Sequence, residues 1–216
     1  MAWRHHRIWI IAVLLISGIA LAWLIAQTPA PAAPVVEPVA TTTPDLVGQS
    51  IYTNGEYGFA MVYPASAAVE DLPRAWRANA PLESKGTPIV TITTYTVPDE
   101  QVVTRALTSV SIGASTDPVD MSTCERITPD RGETQRADET FGGATWKVFA
   151  YQEADMQLSV QGVSYRTLRD GTCYALETYR LLKGYKEEGI NVDEVTRIDA
   201  EYAKLDEIVK SFSFAR

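Results

Sequence analysis

GVSYRTLRDGTCYALETYRLL, residues 162–182, decides how this chain folds. Two runs rich in β-branched and aromatic side chains flank Asp170-Gly171. An Asp-Gly pair between such runs is a strong short-range signal for a two-residue hairpin turn. The stretch therefore predicts two antiparallel strands. Working upstream, TWKVFAYQE (145–153) follows the turn signal Gly142-Gly143 and reads as a third strand. LTSVSIGAS (107–115) and PIVTITTYTV (88–97) are two more. In YGFAMVYP (57–64), Tyr57, Phe59, Met61 and Tyr63 recur at period two, and Pro64 ends the run. About six strands, mostly antiparallel, are expected.

Downstream the period changes. In VDEVTRIDAEYAKLDEIVKSFSF (192–214), Val195, Ile198, Tyr202, Leu205, Ile208, Val209 and Phe212 recur at spacings of three and four. That is one face of a helix. Asp193 is the expected N-cap, and Asp206 and Lys210 form an i, i+4 pair on the outer side. An apolar stripe must be buried, and the sheet is the partner available. The predicted class is α+β: an antiparallel sheet packed by one long C-terminal helix. A shorter helical piece is expected around EDLPRAWRANAP (70–81), with Trp76 packing down.

The N-terminal end has a different texture. Arg4 and Arg7 precede an uncharged apolar run from Ile8 to Ala26. At about 1.5 Å per residue, a helix over this run spans roughly 28 Å, near a bilayer's hydrocarbon thickness. Trp3, Trp9 and Trp23 lie toward its two ends, where indoles favour the interface. Residues 1–26 therefore read as a signal anchor whose residues 8–26 lie in the membrane. The cationic flank places the N-terminus in the cytoplasm and the rest outside. Cleavage near Ala22, at the A-x-A of Ala20-Leu21-Ala22, is the competing expectation and yields a secreted protein.

Residues 27–50 read as a linker. Pro29, Pro31, Pro34, Pro38 and Pro44 fix φ and remove amide donors, so an extended, semi-rigid stalk is expected. The folded domain is expected over 51–216.

The chain carries a net charge of −8. Arg4 and Arg7 offset Glu37 and Asp45, so the domain holds all of that excess. The densest basic neighbourhood is RLLKGYK (180–186). Nucleic-acid binding needs clustered cations, so no nucleic-acid partner is expected.

Cys124 and Cys173 are the chain's two cysteines. Outside the cytoplasm thiols oxidise, so an intramolecular disulfide is the simplest expectation. Free or intermolecularly paired thiols are the alternative. Their spacing is not C-x-x-C, and a thioredoxin-like role is excluded.

Both histidines, His5 and His6, flank the apolar run. The domain thus lacks the base for a Ser-His-Asp or Cys-His nucleophile and has no imidazole for zinc. No phosphate-binding glycine motif occurs. Asp117, Asp120 and Glu125 are too few and too widely spaced for a calcium loop, so a turn is expected there. No catalytic, metal or cofactor-binding residues are assigned. Acids around 138–140 and 151–155 leave a carboxylate-pair glycosidase open, because its two carboxyls can come from distant positions.

Five segments together resemble a family of bacterial envelope proteins without an assigned activity: YTNGEYGFAMVYP (52–64), SVSIGAS (109–115), TFGGATWKVFAYQEADMQ (140–157), SYRTLRDGTCYALETY (164–179) and LDEIVKSFSF (205–214). The resemblance covers about 51–214 and implies a PsbP-like sandwich, a fold whose members work mostly through binding and assembly. KGYKEEGINVDEV (183–195) departs from the family, whose members tend to carry a Pro-Gly loop there. The expected function is a non-catalytic binding or assembly module of the cell envelope with an envelope protein partner. A carboxylate-dependent envelope glycan hydrolase is the alternative.

Overall fold

A computed structural model of the chain describes residues 47–70, 76–77, 80, 84–97, 104–128, 132–155, 158–184 and 192–215. They fall within one contact unit, Asp45–Arg216. The expected anchor 1–26 and the proline-rich stretch lie outside the described residues, as does most of the departing loop after Gly184. Among the described residues, no helix is long and apolar enough to cross a membrane.

Five long or medium strands carry the sheet: β4 (Thr87–Val97), β5 (Thr104–Ser115), β8 (Ala144–Asp155), β9 (Leu158–Arg169) and β10 (Thr172–Gly184). Short strands β3 (Ala68–Glu70), β6 (Thr134–Gln135) and β7 (Glu139–Phe141) join its margins. The order is β3-β4-β5-β10-β9-β8-β6, with β7 also on β8, and every pairing is antiparallel. The predicted hairpin is β9–β10. Asp170 and Gly171 both adopt left-handed φ, 49° and 74°, as a two-residue turn of the primed type requires.

A second, three-stranded sheet joins segments remote in sequence: β1 (Gln49–Asn54), β2 (Phe59–Pro64) and β11 (Ser213–Phe214), in the order β1-β2-β11. β1 takes in Gln49 and Ser50. β11 occupies the end of the stretch predicted to be helical. The six expected strands are all present, and the extra ones are short or lie at an edge.

The single long C-terminal helix is corrected. It forms as α2 (Val192–Ala203) and α3 (Leu205–Lys210), divided at Lys204. There the bonds tighten to i→i+3, with Lys204 N–H on the Glu201 carbonyl and Glu207 N–H on that of Lys204, both at 3.2 Å. The residues on either side of the break bury different side chains. Ile198 of α2 packs with Ala106 and Leu182. Leu205, Ile208 and Val209 of α3 enter the main core. Asp193 is not the N-cap: α2 starts at Val192, so Asp193 sits in its first turn, where an acid suits the helix dipole.

The turn expected around Asp117 and Asp120 is a six-residue helix, α1 (Pro118–Thr123). Asp117 caps it by accepting from Val119 N–H at 2.9 Å, and Pro118 occupies the first helical turn. Trp76 is buried as expected, and Trp76 and Arg77 form a bend; most of the stretch 70–81, where a helical piece is expected, lies outside the described residues.

The sheet's two faces differ in chemistry. On one, Val90, Ile92, Val110, Ile112, Val148, Leu176 and Trp146 meet Phe59 and Met61 of β2, α3 and Phe212. Phe212 stands edge-on to Trp146 with centroids 5.4 Å apart, and Phe214 stacks on Trp146 at 6.1 Å. The other face carries the alternate residues, which in β5 are Ser109, Ser111, Gly113 and Ser115. Small residues let a covering segment approach closely: a Cβ on Gly113 would meet the Trp76 carbonyl oxygen at 2.1 Å.

Candidate functional site

The polar face of the sheet holds a cluster of buried charges. Register places Glu177 of β10 between Ser111 of β5 and Ser164 of β9. Arg166 follows Ser164 by two residues and shares its face. Glu133, from the segment before β6, closes over them. Arg77, Arg166, Asp120, Glu133 and Glu177 are each no more than 4% exposed.

Arg166 organises this cluster. Its guanidinium grips both carboxylate oxygens of Glu133. It also donates to Ser164 Oγ at 2.6 Å and to the Arg126 carbonyl at 3.1 Å, and it lies 4.4 Å from the Phe149 ring centroid. Thr128 N–H adds a bond to Glu133 at 2.7 Å. Bidentate pairing with further hydrogen bonds is what permits two charges to be sealed from water. Ser164 Oγ donates to Glu177 at 2.7 Å. Burial raises the Glu177 carboxyl to about 7, against the opposing pull of Arg166, the Ser164 bond and Arg77. Burial also lowers Arg77 to about 10, helped by the like charge of Arg166.

Asp120 is a second hub. It accepts from Ser84 Oγ and Ser115 Oγ, each at 2.6 Å, and from Lys85 N–H at 3.1 Å. These bonds fasten α1 and residues 84–85 to β5. Cys124 and Cys173 are disulfide-bonded, with Cα atoms 5.8 Å apart. Both are fully buried beside Trp76 and Ala175, so the bridge ties the segment after α1 to β10 beneath the cover.

The acids named from sequence do not converge. Asp117 is a cap, and Asp120 is enclosed. Glu125 is exposed and accepts from Leu168 N–H at 3.2 Å. Asp138 pairs with Lys147 at 2.6 Å. Among the described residues, no three His, Cys, Asp or Glu side chains come together as a metal site.

Two hollows stand out among the described residues. The smaller, about 260 Å³, lies between Tyr57, Lys85, Thr87 and Asp117. The larger, about 450 Å³, lies where Tyr202 of α2 overhangs β9. That size suits a small molecule, for which pockets run from about 300 to 1,000 Å³. Its floor is two cross-strand pairs of β8 and β9 on one face: Ala150 with Val163, then Gln152 with Gln161. Thr134 and Arg136 form the opposite wall. Arg136 is held beside β8 by its backbone N–H on the Val148 carbonyl at 2.8 Å. Tyr202 is fixed by its hydroxyl, 3.2 Å from Thr178 Oγ1. Among the described residues, neither hollow is lined by two carboxylates.

Sequence reading missed this hollow. Gln161 and Arg136 fall in none of the quoted segments, and Gln152 lies in 140–157 with no role read for it. Their convergence follows from the β8–β9 register and from where the helix crosses the sheet.

No protein-family model matches the chain, and no curated protein matches it. Among solved structures the chain is similar to LpqN, involved in cell envelope biogenesis of Mycobacterium tuberculosis. The two are 14% identical with a TM-score of 0.42, over 78% of this chain and 91% of LpqN. It is also similar to cyanobacterial PsbP (CyanoP) from Synechocystis sp. PCC 6803, at 11% identity and a TM-score of 0.38, over 82% of this chain and 99% of that one. At these TM-scores neither likeness decides the fold or the function of this chain.

Proposed function

We propose that this chain is a non-catalytic binding module of the cell envelope, with a PsbP-like domain held outside the cytoplasm by a membrane anchor at residues 8–26. The hollow beneath Tyr202 is its binding surface. One contrast supports the reading. The carboxylates with perturbed or shielded surroundings, Glu133 and Glu177, are sealed under the cover and engaged by Arg166 and Ser164. Among the described residues the open hollow instead presents amides, hydroxyls and one guanidinium, and no carboxyl acid. A glycosidase needs two carboxyls facing one cleft about 5 to 9.5 Å apart. The test is site-specific photo-crosslinking in cells. A crosslinker at Gln152 is expected to capture an envelope component, and one at exposed Ser122 of α1 is not. Release of soluble fragments from an envelope polymer by the purified chain would overturn the non-catalytic reading.

A further inference from the structure

The chemistry of the hollow beneath Tyr202 narrows its ligand, granted the reading of that hollow as the binding surface. Its floor changes character along its length. Ala150, Val163 and the ring of Tyr202 form an apolar end, while Gln152 and Gln161 stand side by side at the other. Gln152 is exposed and Gln161 half-buried, so both amides reach solvent. Each amide offers an acceptor oxygen and a two-proton donor. A pyranose matches this layout, with an apolar C–H face and a rim of hydroxyls that both donate and accept.

Arg136 adds one charge. Among the described residues it is the one ionic side chain lining the hollow. Among the described residues, no carboxylate forms an ion pair with it. Arg136 is exposed and lines the same hollow as Tyr202, so its guanidinium is open to a ligand there. A guanidinium in that position suits one planar carboxylate, bound bidentately. The net charge of −8 disfavours a polyanion.

We infer that the hollow binds a pyranose unit bearing a single carboxylate, of the uronic acid kind, with Arg136 on the acid, the two glutamines on the hydroxyls and Tyr202 against the ring. The test uses the full chain in a non-glycosidic detergent. Ligand-observed saturation-transfer NMR and equilibrium dialysis compare a glucuronic acid disaccharide, a neutral glucose disaccharide and acetate. The acidic sugar is expected to bind about tenfold or more tighter than the neutral one. Arg136→Gln is expected to erase that preference and keep the weak neutral binding. Gln152→Ala with Gln161→Ala is expected to lose both sugars at an unchanged thermal midpoint. Absence of binding by either sugar overturns the inference, as does acetate competing as well as the acidic sugar. A protein crosslinked from Gln152 without any saccharide binding overturns it too, while leaving the binding-module reading in place.

Discussion

Tyr151 crosses directly over Gly162 to reach β10. Its hydroxyl donates to the Thr178 carbonyl at 2.7 Å, and a Cβ on Gly162 would lie 2.2 Å from that hydroxyl oxygen and 2.1 Å from the carbonyl oxygen. The glycine is kept for space, since its φ is not in the left-handed region. Gly162→Ala is therefore expected to destabilise the chain by roughly 1–3 kcal/mol, through displaced side chain and backbone. Tyr151→Phe removes only the hydroxyl and is expected to cost about 1 kcal/mol. Urea unfolding monitored by tryptophan fluorescence measures both, and a neutral Gly162→Ala would refute the crossing geometry.

The Glu177 carboxyl makes stability depend on pH. Its native value, about 7, lies above the ordinary 4.5, because burial outweighs the nearby cations. A carboxyl raised in the native state binds more protons there than in the unfolded chain. Its contribution is full below the unfolded value and is lost as pH rises through the native one. Stability is thus expected to fall between about pH 4.5 and pH 7 from this group. Glu177→Gln is expected to flatten that slope and to gain on the order of 1–3 kcal/mol at pH 8, with little change at pH 4. Denaturation curves across this range decide it, and an identical slope in wild type and variant refutes the assignment.

The disulfide spans 49 positions and is wholly buried. The chain-entropy model values such a loop at roughly 4 kcal/mol. Replacing both Cys124 and Cys173 by serine is expected to cost about 2–5 kcal/mol. The native protein is expected to yield no titratable thiol until it is unfolded and reduced. Two thiols in the folded chain, isolated without reductant, would contradict the bridge.

Leu205 is fully buried in the main core, whereas Glu207, two residues on, faces solvent. Leu205→Ala is expected to cost about 2–5 kcal/mol, and Glu207→Ala to stay within about 0.5 kcal/mol. Equal stability of the two variants in chemical denaturation would mean that α3 does not dock as described.

The proposed anchor at residues 8–26 implies an orientation, set by its cationic flank. A reporter active only outside the cytoplasm, fused after Arg216, is expected to be active. Moving Arg4 and Arg7 to follow Ala26 is expected to silence it. Activity indifferent to that exchange would remove the topological reading.

What could be read from sequence was what repeats locally. The Asp170-Gly171 turn, the β-branched runs and the apolar stripe from Ile198 to Phe212 each announce an element within a few residues. Features set by distant partners did not show. The pairing of β2 with β11 joins Phe59 to Phe214 across most of the domain, and no local period encodes it. The break at Lys204 has no local signal either, although Ile198 on one side packs with Ala106 and Leu182 while Leu205, Ile208 and Val209 on the other enter the main core. Asp120 looked like one acid among several until residues 84–85, β5 and α1 closed around it. Ser109, Ser111 and Ser115 did alternate visibly, but only the cover above them explains a sheet face built from small polar residues. The hollow beneath Tyr202 was the least visible of all, because its residues share nothing until the strands are in register.

Placing β11 beside β2 also sets an order of events during synthesis. Ser213 and Phe214 are the latest of the described strand residues to leave the ribosome, yet they pair with Ala60 and Phe59, among the earliest. Phe212 and Phe214 supply the rings that enclose Trp146. The nascent chain can form its hairpins as they emerge, but its aromatic core stays open until the final turn of α3 and β11 are released. Closure of the aromatic core is thereby tied to the release of β11, after every other described strand is already out.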